Sequence, residues 1–415
     1  MNEKITIFVF LIFGVTGIFV LIGCQDASTA IVHNASGIDG DSIEEPSRYA
    51  ADAITGRVFE NSQAEWISSE VKIGPEVSIL HFVDEMRGWA IGRNEIYTTS
   101  DGGNAWRMTR FNIQIVGDGD TIEQLVFGND GVGWLVVQHN EGDGFSLKDQ
   151  VRVYRGSDGG TKWTLSTVQA SATFSDLHLA GRDVWLIGRT FPDKEPSQLL
   201  PLILRFSYEK RGWDNISSNF KAYPKGEGDE LHNHPRLSKI GISDTGCVIV
   251  VAEERSVYQT CDEGKHWKLT NRRGHGPDRR LSINYLNIAN GIARLVEASG
   301  GIEGTGTALT TWDLSNGKTV KSIVLSSYFL TWAFWISENR IMVVGERKGI
   351  PVRDADENEH KDRSVILETV DGGNTWVEVF SKAFDNTLGA FFLAGQQTIW
   401  LIDERGKTYK ITRRW

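Results

Sequence analysis

One recurring pattern constrains the fold of this chain more than any other feature: Ser or Thr, any residue, Asp, any, Gly, any two, Trp. The clearest copies are Thr99 to Trp106, with Asp101 and Gly103, and Thr369 to Trp376, with Asp371 and Gly373. A third runs from Thr260 to Trp267, with Asp262 and Gly264. A fourth, with Asp158, Gly160 and Trp163, has Gly156 where Ser or Thr is expected. The physics of the pattern is local. The Asp carboxylate accepts backbone N–H hydrogen bonds and closes a turn. The Gly permits positive φ where a hairpin reverses. The Trp covers the turn and packs into the sheet. Asp101 and Asp158 lie about 57 residues apart, and the next two intervals, about 104 and about 109, read as double steps that each hide a worn copy. Those copies are Phe206 to Trp213, which keeps the Trp, and Asp313 to Val320, which loses it.

Each copy is preceded by short strands. In the first repeat Val77–Asp84, Gly88–Gly92, Glu95–Ser100 and Ala105–Thr109 read as strands a to d. Strand b often carries a Trp, as at Trp89, Trp134, Trp185 and Trp400. Brief apolar runs broken by Gly or Asp are strand punctuation, not helical periodicity. The 44 Gly and 14 Trp against 9 Pro fit many strands joined by tight turns. At the C-terminus Leu388–Leu393, Ile399–Asp403 and Lys407–Thr412 supply strands a to c, and strand d comes from the start of the body, at Glu65–Ile67. Six motif positions and this mixed blade make seven. The expected fold is all-β: a seven-bladed β-propeller of four-stranded antiparallel blades over residues 61–415, its ring closed by an N-terminal strand that completes the last blade and removes the free edge.

The first 23 residues are an address. Lys4 precedes an apolar run from Ile5 to Ile22, which ends Leu21-Ile22-Gly23-Cys24. A charged start, an apolar stretch and a small residue before the cut mark a secretory signal. This one resembles a bacterial lipoprotein signal, which implies cleavage before Cys24 and lipid on its thiol and amine. Several acyl chains make a durable anchor at roughly 0.8 kcal/mol per buried CH₂. The alternative is a transmembrane helix, since the run is almost long enough to span. Residues 24–60 are polar and small, without a period, and read as the lipidated Cys and a flexible tether. Export to the bacterial cell envelope follows, and Gln25 leans toward the outer membrane.

The motifs and the Gly88-Trp89-Ala90-Ile91-Gly92 strand resemble the BNR/Asp-box repeat superfamily, and within it the photosystem II assembly-factor-like propellers. The resemblance covers roughly residues 60–415. It implies a non-enzymatic propeller, exported and often lipid-anchored, that binds membrane-protein precursors. Sialidases share the Asp box, so a carbohydrate-binding or glycoside-hydrolysing propeller is the competing class. Their early Arg-Ile-Pro signature is absent from this chain. The channel-lining a strands offer mainly Glu123 and Asp176 as a carboxylate pair. No catalytic residue, cofactor or metal is expected.

The longer insertions fall in b–c loops (His139–Gln150, Thr190–Leu199, Glu346–Arg363) and d–a loops (Lys221–Arg236, Asn271–Arg280), which share one face. Variable loops carry function on scaffolds, so a protein partner at a membrane surface is expected there. Arg272, Arg273, Arg279 and Arg280 make a basic loop on a chain of net charge −10, suited to acidic protein or lipid head groups or else simply solvated. His232 and His234 lack a visible third ligand, and Asp354, Asp356, Glu357 and Glu359 lack EF-hand spacing. The net charge argues against nucleic acid, and a monomer is expected. Cys247 and Cys261 flank a predicted b–c hairpin at opposite positions or one off, which suits either a disulfide or two buried thiols.

Overall fold

A computed structural model describes residues 54–413 apart from 56, 61–65, 75–76, 93–94, 112–116, 118, 142–147, 181–182, 192–198, 221–234, 254–255, 272–280, 300–305, 317, 348–362, 383–386, 394–397 and 404. It forms a seven-bladed β-propeller of antiparallel blades, with strand a innermost and strand d outermost. Blade 1 comprises Ile79–Phe82, Gly88–Ile91, Glu95–Thr99 and Arg107–Arg110, and blade 2 Asp120–Phe127, Gly133–His139, Gln150–Ser157 and Lys162–Ala170. Blade 3 comprises Ala172–Ala180, Asp183–Thr190, Leu200–Ser207 and Gly212–Asn215, and blade 4 Leu237–Ile242, Val248–Ala252, Val257–Thr260 and Lys268–Asn271. Blade 5 comprises Leu281–Ala289, Ile292–Ser299, Thr307–Asp313 and Lys318–Leu325, and blade 6 Tyr328–Trp335, Ile341–Arg347, Arg363–Thr369 and Thr375–Lys382. Blade 7 takes Thr387–Leu393, Thr398–Asp403 and Thr408–Arg413 from the C-terminus and Trp66–Val71 from the N-terminus, which pairs antiparallel from Trp66 opposite Arg413 to Val71 opposite Thr408.

The b strands explain the composition. In Gly133–His139 the run Trp134, Leu135, Val136 and Val137 is buried throughout, because a blade packed on both sides has no solvent face. The outer strand Arg107–Arg110 has lost that cover and is polar. The core is accordingly divided into seven buried clusters, one at each interface between neighbouring blades. The interface of blades 5 and 6, for example, buries Leu309 and Ile323 against Leu330, Val343 and Trp376.

The segment ahead of the closing strand departs from the tether reading over residues 54–60. Ile54–Thr55 pairs parallel with Ile323 and Val324 on the outer edge of blade 5. Arg57–Glu60 pairs parallel with Thr375–Glu378 on the outer edge of blade 6. The chain thus crosses blades 5 and 6 before entering blade 7, and Val58 packs on the cluster around Trp376.

The a strands share a second feature. In blades 2 to 7 each carries one extra residue relative to strand b: Glu123, Ser175, Ser238, Asn284, Thr331 and Leu388. Such bulges bend a strand and re-aim side chains. Here polar side chains near the bulges bond the next blade's innermost backbone. Gln124 donates to the Leu177 carbonyl and accepts from its amide, both at 2.9 Å. Asp176 accepts from the Ile240 amide at 3.0 Å, and Asn284 donates to the Leu330 carbonyl at 2.7 Å. Strand edges that would be orphaned at the channel are satisfied across blades.

Candidate protein-binding surfaces

The motif residues all lie at c–d turns, on one face of the ring. In the copy at Asp371, Thr369 donates its hydroxyl to the carboxylate at 2.8 Å and accepts from the Gly373 amide at 2.9 Å. Asp371 also accepts from the Thr375 amide at 2.9 Å and its hydroxyl at 2.6 Å, and Trp376 donates to the Gly373 carbonyl at 3.0 Å. Gly372 and Gly373 take φ of 71° and 97°. The copies at Asp101 and Asp262 repeat the Thr–Asp–Gly network. The carboxyl of Asp101 is held below its ordinary value by the Ala105 amide and the Thr99 hydroxyl, and that of Asp262 by the His266 amide and ring. Partial burial works against the same shift at Asp371, yet Thr375 and Thr369 bring it to about 2. Each of these carboxylates is thereby engaged within its own turn.

The motif does more than close hairpins. The second Gly of each copy lies against the preceding blade. A Cβ on Gly103 would meet the Trp400 ring at 2.3 Å, and one on Gly264 would approach Trp185 at 3.3 Å. Trp89 donates its indole N–H to the Gly159 carbonyl at 2.9 Å. The b-strand Trp of one blade and the motif turn of the next therefore form a joint, which the sequence shows only as two separate motifs.

The fourth copy differs. Asp158 itself takes φ of 53°, and its carboxylate turns outward to Lys162 at 3.1 Å. Gly156, in the Thr position, lies under the Trp163 ring, where a Cβ would be 3.0 Å from three ring atoms. Trp163 is fully buried and donates to the Gly160 carbonyl at 2.7 Å. In blade 4, Cys247 and Cys261 are joined by a disulfide with Cα atoms 4.2 Å apart. They extend the ladder in which Val248 faces Thr260, so they sit directly opposite, and the bond ties strand b to the motif turn of Asp262.

Cys24, Arg272, Arg273, Arg279, Arg280, His232, His234 and the acidic run 354–359 lie outside the described residues, as does half or more of each long insertion. The described base of the opposite face, where the b–c and d–a loops leave the blades, holds ion pairs. Asp120 is nearly buried and receives Arg152, His139 at 2.8 Å and the Gly117 amide at 2.5 Å. Glu253 meets Arg189 at 2.5 Å and Arg236 at 3.6 Å, and Glu378 meets Arg347 at 3.4 Å. Glu123 reaches solvent but is enclosed by protein, and this loss of bulk water pushes its carboxyl up, opposed by the Thr121 hydroxyl at 2.7 Å. Asp176, the other carboxylate of that expected pair, is bonded to the Ile240 amide. Among the described residues no group of three or more His, Cys, Asp or Glu side chains is placed to hold a metal ion.

Back on the motif face, a cavity of about 1050 Å³ opens between the outer parts of blades 2 and 3. Thr164, Leu165 and Ser166 form one wall, and Phe206, Ser207 and Tyr208 the other. Arg155 stacks over the Tyr208 ring at 5.5 Å, and its buried Nε has no hydrogen-bond partner. Arg205, by contrast, bonds Asp183 at 2.5 Å and Glu263 at 2.8 Å. Sequence reasoning passed over this place. Its one trace is Gly156, whose missing side chain departs from the repeat beside Arg155.

No family model and no curated protein matches the chain. Solved structures do. A structure of YCF48 bound to D1 peptide is 16% identical, with a TM-score of 0.53 over 88% of this chain and 99% of that one. YCF48 from Cyanidioschyzon merolae is 15% identical, with a TM-score of 0.52 over 84% and 99%. A chain of a mitotic checkpoint complex crystal structure is 8% identical, with a TM-score of 0.50 over 94% and 100%. At these identities the likeness is one of fold.

Proposed function

We propose that this chain is a non-enzymatic protein-binding scaffold, held at a membrane surface of the bacterial envelope through lipid on Cys24, that assists assembly or stability of an envelope or membrane protein complex. It acts as a monomer and takes no cofactor. The observation that carries this reading is where the charged chemistry goes. The carboxylates of three motif copies are engaged in their own turns, and four arginines of the loop face, Arg152, Arg189, Arg236 and Arg347, each meet a carboxylate. A glycosidase of the sialidase kind needs arginines converging on a substrate carboxylate, together with a free carboxylate pair. A rigid ring with insertions on one face instead suits broad protein contact. A likeness of fold to YCF48 bound to D1 peptide supports the same class, since that propeller takes a peptide.

The test is crosslinking in membranes of cells that make the full chain, beside Cys24→Ala. The expected result is metabolic labelling of the wild type by a clickable fatty acid, and a discrete crosslinked partner that is reduced in the unlipidated variant. Equal labelling of Cys24→Ala removes the anchor. Turnover of sialosides or other glycosides by the purified protein removes the scaffold reading.

A further inference from the structure

Two blades of this propeller already carry a fifth strand. Ile54–Thr55 and Arg57–Glu60 both add parallel to a d strand. The d strand of blade 2, Lys162–Ala170, is nine residues long and outermost in its sheet, with no fifth strand among the described residues. An open edge of this kind is a template for another strand and is normally blunted by charge or Pro. This one instead exposes Leu165 and Val168, at 52% and 41% of their surface. Between them, next to Leu165, lies Ser166, the extra residue of a bulge, which is fixed by the Trp213 indole N–H at 2.9 Å.

The same strand forms one wall of the cavity between blades 2 and 3. Arg155 stands at that wall, opposite Thr164 in the ladder, stacked on Tyr208 and paired with no carboxylate among the described residues. Asp183 and Glu263, which also line the cavity, are both bonded to Arg205. A partly buried guanidinium with an unbonded N–H favours an anion, and a planar carboxylate matches its fork.

We propose that this wedge receives an extended peptide segment of a protein partner, which adds as a fifth strand parallel to Lys162–Ala170, sets apolar side chains on Leu165 and Val168, and places an Asp or Glu carboxylate on Arg155. Backbone pairing supplies affinity in this mode and the side-chain positions supply selectivity. The site rests on the scaffold reading, and it lies on the motif face, away from the insertions.

The experiment is display selection of random decapeptides on the full chain, followed by fluorescence-anisotropy titration of the enriched peptides. Enrichment of alternating apolar sequences with one acidic residue is expected. Arg155→Glu and Leu165→Asp are each expected to weaken binding at least tenfold, with Arg155→Gln weakening it less and Arg87→Glu, on blade 1, leaving it unchanged. Melting curves of each variant keep loss of fold separate from loss of binding. Backbone N-methylation of the peptide is expected to abolish binding, and amide exchange on Lys162–Ala170 to slow in the complex. Peptides that bind Arg155→Glu and Leu165→Asp as tightly as the wild type, or that protect only the insertion face, overturn the wedge and leave the scaffold reading standing. The wedge is equally overturned if no peptide enriches while membrane crosslinking maps a partner elsewhere. Failure of both experiments removes the scaffold reading too.

Discussion

Blades 2 and 6 have the same strands in the same order and differ at the two places where a blade can be left unfinished. Blade 6 has the full motif, with Thr369 and Asp371 bonded to each other and to the turn, and its outer edge is covered by Arg57–Glu60. Blade 2 has lost the Thr, has turned Asp158 outward, and has no fifth strand among the described residues. Both still bury the motif Trp completely and tie its indole to the second Gly. The part these two turns share is therefore the Trp over a left-handed Gly. The carboxylate network is one of two ways to hold that shape, and a run of left-handed residues over Asp158–Gly160 is the other.

The largest effect should come from the shared part. Gly373→Ala puts a Cβ at φ of 97° and 2.3 Å from Ile323 Cδ1, a buried side chain of blade 5. Conformational strain and overpacking together are expected to cost about 2–4 kcal/mol. Gly159→Ala, at φ of 66° with nothing within 4 Å, meets the strain alone and should cost about 1 kcal/mol. Chemical denaturation of both variants measures the difference. Equal losses would mean that the contact with the neighbouring blade contributes nothing.

The covered edge is the second place to press. Val58→Ala removes a partly buried side chain from the cluster of Trp376, Leu330 and Ile323, and about 1–2 kcal/mol is expected from a truncation that the flanking ladder partly heals. A wild-type midpoint in this variant would reduce Arg57–Glu60 to an ornament on blade 6. Protection of the Thr375–Lys382 amides should fall with it, while Lys162–Ala170 exchanges as before.

These contrasts also mark what the sequence could reveal. The Trp offset survives in five of the six motif turns, and so the repeat discloses the blade number even through Trp213, where Asp and Gly are gone, while the blade 5 hairpin forms with Val320 in the Trp position. Cys247 and Cys261 are legible within one residue because a short hairpin fixes its own register. The parallel strands at 54–60 are not, since their partners lie more than 250 residues away and their own residues read as a polar linker. The bulges escape too. Glu123 or Asn284 inside a short strand looks like ordinary alternation until the partner strand shows one residue too many. Arg155 is inconspicuous for a related reason: a cation is distinctive only when the fold leaves it unpaired, which no local pattern encodes.

The third contrast concerns the carboxylate network itself. Asp371→Ala leaves the Thr375 amide and hydroxyl without their acceptor, and a loss of about 1 kcal/mol is expected, at the low end because water reaches the turn. The folded carboxyl titrates at about 2, below its ordinary 3.8. A depressed folded value gives stability that is present above the ordinary value and lost as the pH falls toward the folded one. The gap between wild type and Asp371→Ala should therefore be constant from neutral pH to about 4 and narrow from there toward about 2. A gap that stays constant down to pH 2 would mean that the charge on Asp371 is irrelevant and only its shape matters.

The smallest expected effect decides whether the two turns differ in kind or only in degree. Asp158 lies at the surface, and its carboxylate meets Lys162 at 3.1 Å with both side chains largely exposed. Exposed pairs of this sort contribute little, and Asp158→Ala should change stability by less than about 0.5 kcal/mol. The turn should hold because its positive φ values at Asp158, Gly159 and Gly160 are followed by Trp163, whose indole N–H bonds the Gly160 carbonyl. The left-handed conformation at Asp158 is one that Asp tolerates better than Ala. Asp158→Gly separates that backbone preference from the charge, and it should be neutral or slightly stabilising even where Asp158→Ala is slightly destabilising. Were Asp158→Gly instead to cost as much as Asp371→Ala, the carboxylate would be supporting the blade 2 turn as it does in blade 6, and the outward turn of Asp158 would have to be a minor state of that side chain.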